Sequence, residues 1–197
     1  MAAWDATVYW ALDLETGGLD PRTDALLAVG MVPVRGGVVQ LGEAYQSLVR
    51  PEEEARAVRH ASVPAHGLLG HELAPAPALA EVLAQVLSRV REGALLVHHR
   101  RLDVAFLQRA CKRSGLRWPR PPVVDTVELL LRAAKRRRRA HPELPDTRPP
   151  LQLSAARRAW GLPEYPAHDA LTDALATAEL FLVLRHALDA RTLEALT

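Results

Sequence analysis

The chain has 197 residues, 49% of them hydrophobic and 24% charged, which suits one packed domain rather than two independent cores. Its 25 Lys and Arg against 23 Asp and Glu give a formal charge of +2, compatible with a polyanionic partner but too common to identify one. A single cysteine, Cys111, excludes an intramolecular disulfide; no run approaches the ~18 apolar residues of a membrane span; and the N-terminus lacks the basic and apolar regions of a signal peptide, so a cytoplasmic protein without a membrane role is expected.

In chain order, Val8 to Leu14 is a short apolar run of strand formers ended by Gly17-Gly18. Asp24 to Val34 is a second apolar run, and Gly36-Gly37 separates it from Val38 to Val49. The three read as an antiparallel meander with tight glycine turns. Pro51 to Pro77 is irregular. Leu79, Val82, Leu83, Val86, Leu87 and Val90 then follow the i, i+3, i+4, i+7 spacing of an amphipathic helix. Ala94 to Val97 is a brief strand, Leu102 to Ser114 a helix stopped by Gly115, and Val123-Val124 another brief strand. Asp125-Thr126 caps a helix from Val127 to about Arg137. A loop rich in Pro and charge leads to a short helix over Leu151 to Trp160, and a long helix runs from Ala170 to about Ala190. Strands first, then strands alternating with helices, indicate one α/β domain with a mixed sheet flanked by helices.

Four carboxylates stand where such a fold places core. Asp13 and Glu15 end the first strand two residues apart, so they project from one face and repel each other unless a cation or water lies between them. Asp103 shares a helix face with Phe106, Leu107 and Ala110. Asp173 shares one with Ala176, Thr177, Leu180, Phe181 and Leu184. Singly, each has a bland reading: a solvated strand end, or a charge favoured by a helix N-terminus. Jointly, acids presented at the ends of three elements suit a hard cation bound through oxygen, Mg²⁺ or Mn²⁺ rather than zinc. Two such ions roughly 3.5–4 Å apart would use all four and suit in-line phosphoryl chemistry. His168 lies five residues before Asp173, about 500° around a helix, and so belongs on the preceding loop, leaning over the site.

Three ordered motifs carry a resemblance. Asp13-Leu14-Glu15-Thr16-Gly17-Gly18-Leu19-Asp20, His98 through Leu107, and His168 through Asp173 with its H-x-A-x-x-D spacing resemble the three motifs of the DEDDh-type 3′→5′ exonucleases, the DnaQ-like family that includes the proofreading epsilon subunit of bacterial DNA polymerase III. The resemblance spans about residues 8 to 187, the core of a single exonuclease domain over 1–197. It implies an RNase H-like mixed five-stranded sheet, three antiparallel strands plus two parallel ones. It implies hydrolysis of nucleic acid, DNA in the first place, from the 3′ end to nucleoside 5′-monophosphates. Asp13, Glu15, Asp103 and Asp173 would ligate the two ions, His168 would be the general base, Thr16 would lie near the terminal 3′-hydroxyl and Leu19 against the base. The family's usual second threonine is Gly17 here, and its usual Asn and Phe in the second motif are His99 and Leu102. These departures touch the grip on the terminal nucleotide, not the acids or the histidine.

The basic block Lys135 to Arg139 either ends a solvated helix or, through Arg136, Arg137, Arg138 and Arg139, contacts substrate phosphates. The four tryptophans read as packing, and His98 and His99 as adjacent side chains that point differently, without a zinc role. The chain ends about ten residues after the last helix, which favours a stand-alone nuclease acting on single-stranded DNA 3′ ends, with a weak polymerase association as a further option. The alternatives are a catalytically silent module of the same fold that binds nucleic acid or a polymerase, and an RNA-trimming member of the family.

Overall fold

A computed structural model describes residues 2–51, 67–68, 70–143, 145, 147–166 and 168–197. Its strands are β1 (Tyr9–Thr16), β2 (Leu26–Arg35), β3 (Val38–Val39), β4 (Tyr45–Leu48), β5 (Ala94–Val97) and β6 (Val123–Asp125). Its helices are α1 (Gly70–Leu73), α2 (Leu79–Val90), α3 (Arg100–Arg113), α4 (Thr126–Ala140), α5 (Leu153–Ala159) and α6 (Ala170–Leu188). Most of the irregular segment expected over Pro51 to Pro77 lies outside the described residues.

One mixed sheet organises the molecule, in the order β3-β2-β1-β5-β6, with β4 also paired to β2. β1 and β2 are antiparallel, while β5 joins β1, and β6 joins β5, in parallel. This is the RNase H-like arrangement, with one difference from the expected five strands. The third strand, expected over Val38 to Val49, is broken by a 3₁₀ turn at Leu41–Glu43 into β3 and β4. Both pieces pair with the same edge of β2, at Val34-Arg35 and at Ala28 to Met31. Gly42 within the turn and the alternation lost around Gln40 are the local cause.

β1 is buried on both sides, which explains its continuous apolar run. Tyr9 and Ala11 face the layer of α4, α5 and α6, together with Val32, Leu96, Phe181 and Leu184. Trp10 and Leu12 face α2 and α3, with Val86, Leu87, Phe106 and Leu107. Cys111 is a buried filler of the second layer. Side chains alternate along a strand, so Asp13 and Glu15 continue the row of Tyr9 and Ala11 on the α6 side. No helix among the described residues is long and apolar enough to cross a membrane.

Candidate active site

The site forms where β1 runs out of apolar residues and α6 begins. Its geometry depends on a position that carries no functional group. Gly30 on β2 lies directly across from Asp13. A Cβ at Gly30 would sit 2.2 Å from the backbone carbonyl of Ala170, the first residue of α6. Only glycine lets the helix rest on the strand beside Asp13. Asp169 caps α6 through Oδ1, which accepts from Thr172 N at 2.9 Å and Thr172 Oγ1 at 2.8 Å. Gln46 of β4 donates to its other oxygen at 2.9 Å. Asp173, one turn further on, is thereby delivered to the strand end. The carboxylate oxygens of Asp13, Glu15 and Asp173 come within 4.8 Å of one another.

Asp103 enters from the opposite layer. It is 5% exposed in the first turn of α3 and lies outside that closest group of three, yet it is the neighbouring charge that acts most strongly on Asp13. Its helix starts at a left-handed residue, His99 with φ 72°, a conformation that histidine, like the family's asparagine, adopts more readily than most residues. Asp125, 5% exposed at the end of β6, fixes that start. It accepts from His99 N at 3.1 Å and Arg100 N at 3.0 Å, and also from Val127 N at 2.9 Å, as the cap of α4. One carboxylate therefore clamps two helix N-termini.

His98 and His99, whose rings lie at 79° to each other, converge on one acceptor. Both Nε2 atoms approach the carbonyl of Leu151, at 2.7 and 3.2 Å, and the rings meet edge to face at 4.8 Å. A carbonyl only accepts, so Nε2 of His98 carries the proton and Nδ1 accepts from the Thr126 hydroxyl at 2.7 Å. Burial pushes the His98 imidazole down to about 4, against the pull of the Leu151 carbonyl. It is a neutral structural link between β5, α4 and the segment before α5.

The acids themselves resist ionisation. Burial, then repulsion from Asp103, Asp173, Glu15 and Asp169, holds Asp13 well above the usual carboxylate range. Burial and the charges of Asp173 and Asp169 push Glu15 up to about 7. Burial and Asp125 raise Asp103 well above its ordinary value. Asp173 is raised by burial despite a hydrogen bond from the His168 amide at 2.8 Å. A group of oxygens that cannot all be charged without a cation between them fits a divalent metal.

His168 is exposed, outside the helix, with φ 70°, and its backbone is tied to Asp173. Thr16 and Leu19 lie on the turn after Glu15. That turn is held by Asp24, 3% exposed, which accepts from Asp20 N at 2.9 Å. Gly18 leaves room for this carboxylate, since a Cβ there would fall 2.2 Å from Asp24 Oδ2 and force that side chain to shift. The Thr16 hydroxyl donates to the Gly18 carbonyl at 2.7 Å, and Leu19 stands 78% exposed at the tip. The basic block is not part of this cluster. α4 continues through Ala140, a few residues beyond the expected end near Arg137, and Lys135 to Arg139 form its C-terminal end. They lie roughly 15–20 Å along the axis from the α4 N-terminus at the site. Arg136 donates to the carbonyl of Leu188 at 2.6 Å.

Comparison with known proteins agrees with this geometry. The RNase_T family model, described as an exonuclease, matches residues 10–181. A DNA polymerase III subunit epsilon-like protein of Rhodobacter capsulatus is 35% identical over 95% of this chain and 25% of its own length. The 3′-5′ exonuclease DinG of Staphylococcus aureus is 26% identical over 89% of this chain and 18% of its own. The chain thus spans a quarter or less of these relatives. Among solved structures, Escherichia coli Exonuclease I in complex with a dT13 oligonucleotide superposes with a TM-score of 0.77 at 20% identity, over 93% of this chain and 42% of that one, a likeness of fold. With the carboxylates gathered as described and the family model covering most of its length, the chain belongs to the RNase_T exonuclease family and carries an exonuclease domain.

Proposed function

We propose that this domain hydrolyses DNA from the 3′ end, releasing nucleoside 5′-monophosphates, with two divalent ions, Mg²⁺ or Mn²⁺, held by Asp13, Glu15, Asp103 and Asp173, and His168 as general base. The observation that carries the reading is the trio Asp13, Glu15 and Asp173, with oxygens within 4.8 Å and the His168 amide bound to the third member. Bound ions would polarise the scissile phosphate and lower the pKa of the attacking water. The four carboxylates orient those ions, and their own raised proton affinity makes them yield a proton on binding. His168, exposed beside Asp173, accepts the proton of the attacking water. Leu19, thrust into solvent, packs against the terminal base, and Thr16 lies beside the 3′-hydroxyl. Arg137, Arg138 and Arg139, with Arg136 tied to the fold, contact phosphates several nucleotides upstream. The epsilon-like relative and the dT13 complex of Exonuclease I favour single-stranded DNA 3′ ends and a loose polymerase partnership.

The test is digestion of matched 5′-labelled DNA and RNA, single- and double-stranded, with Mg²⁺, Mn²⁺ or EDTA. The expected outcome is a one-nucleotide ladder on single-stranded DNA, abolished by EDTA and blocked by a 3′-phosphate. Binding without release of mononucleotides would mark a silent nucleic-acid-binding module, and faster trimming of RNA an exoribonuclease.

A further inference from the structure

The segment that carries His168 is held at both ends. On the site side, the His168 amide donates to Asp173 Oδ2 at 2.8 Å. On the other side stands an ion pair between a buried arginine and a half-buried glutamate that the reaction does not use. Arg157 of α5 is only 2% exposed. Its Nη1 donates to the Ala176 carbonyl at 2.7 Å. Its Nη2 donates to the Pro163 carbonyl at 2.9 Å and to Glu179 Oε2 at 2.7 Å. The guanidinium carbon lies 4.5 Å from the centre of the Tyr165 ring, and the Tyr165 hydroxyl donates to Glu179 Oε1 at 3.0 Å. Ala176 and Glu179 are three and six residues beyond Asp173 on the same helix.

We propose that Arg157, Glu179 and Tyr165 are positioning residues for His168. A guanidinium holds a helix carbonyl, a loop carbonyl and a carboxylate with a rigid planar fork whose donors are spread over two nitrogens, where an ammonium would have to reach all three from a single point. Removing its partners would leave a buried charge uncompensated, so the arrangement is rigid once formed. Pro163 and Tyr165 are thereby fixed to the turns of α6 that follow Asp173. The chain from Tyr165 to His168 is short, and its far end is fixed to Asp173 itself. His168 is thereby set beside Asp173 although it is exposed and lies outside regular structure. The ordering of this segment therefore depends on α5, not only on the motif residues. The role rests on His168 being the base proposed above.

The test compares wild type, Tyr165→Phe, His168→Ala and the double variant in Mg²⁺, by kcat and KM on a 5′-labelled oligonucleotide. Tyr165→Phe keeps the ring on the guanidinium and loses only the hydroxyl, so the fold is retained; Arg157→Lys serves as the stronger perturbation. A displaced base costs up to ~10²-fold in rate. The expected result is a several-fold or greater fall in kcat with KM nearly unchanged, and faster hydrogen exchange at the amides of Glu164, Tyr165 and His168. In the His168→Ala background Tyr165→Phe should cost nothing more, because a residue acting through another is non-additive with it. An equal loss in both backgrounds, or unchanged exchange and kcat, overturns the positioning role while leaving the base intact. An unchanged rate in His168→Ala removes the base itself, and the positioning role with it.

Discussion

Asp173 has two duties that substitution can separate. In the proposed mechanism its carboxylate is a metal ligand, and one of its oxygens accepts from the His168 amide. Asp173→Asn keeps an acceptor for the amide but weakens the ligand set, so it should cost on the order of 10³-fold or more in kcat with little loss of Tm, because metal charge stabilisation is worth several kcal/mol. A near-normal rate at the metal concentration that just saturates wild type would show that Asp173 is not a ligand. His168→Ala should cost roughly 10²–10⁴ in rate and leave metal affinity nearly intact. The wild-type rate should rise with pH along a limb that the variant loses, as loss of a general base requires. The four carboxylates were legible because each breaks a pattern, a charge at the end of an apolar strand or on an apolar helix face, whereas His168 breaks none and was placed by its spacing to Asp173 and by the resemblance. Asp24 and Asp125 were not legible as site builders. They sit at turn and cap positions where Asp is ordinary, and only their burial, 3% and 5% exposed, marks them.

At the scale of elements, the strands and helices followed from periodicity to within a few residues, because β1, β2, α2 and α6 have long runs that commit to one period. The broken third strand did not, since two short pieces on one edge leave the same apolar signature as one continuous strand. Nor did Gly30, whose reason is a neighbour 140 positions away in sequence. Gly30→Ala should push the start of α6 off β2. Overpacking of this kind costs typically 1–3 kcal/mol, and the shift carries Asp169 and Asp173 with it. The expected signature is a rate loss larger than the fall in Tm suggests, partly recovered by high Mn²⁺; an unchanged rate would show that the helix tolerates the displacement. On α4, the arginines tell a second story about reach. Arg137→Ser with Arg139→Ser, leaving the Arg136 tie to Leu188 in place, should raise KM for long oligonucleotides and flatten its salt dependence. Dinucleotides should be unaffected, since phosphate contacts act at the far end of the helix and carry no sequence information. Equal KM at every salt concentration would make the block a solvated helix face.

Across the whole molecule, the carboxylate cluster sets a conflict between function and stability that pH exposes. In the metal-free protein Glu15 is raised from 4.5 to about 7 by burial and by Asp173 and Asp169. The folded state therefore binds more protons at this residue than the unfolded chain does between those values. Its contribution is fully favourable below about 4.5 and is lost as pH rises through 7. At about 1.4 kcal/mol per unit, the loss is at most about 3.5 kcal/mol, and less where solvent screens the carboxylate. His98 works in the opposite direction: burial lowers it from 6.5 to about 4, so it favours the fold above 6.5 and ceases to as pH falls toward 4. The two slopes partly cancel in wild-type protein, and a single melting curve against pH would mislead. Glu15→Gln isolates one of them. In EDTA its Tm should equal that of wild type near pH 4.5, where both side chains are neutral. It should exceed wild type by a margin that grows up to about pH 7, where the wild-type glutamate begins to ionise in a crowd of acids. Saturating Mg²⁺ or Mn²⁺ should reverse the order at pH 7.5, because bound metal stabilises the native state by mass action and the variant has lost a ligand. Calorimetry at four or five pH values, with and without metal, reads all of this; a Tm difference independent of pH would mean that Glu15 titrates normally and that the acids are solvated rather than held in wait for cations.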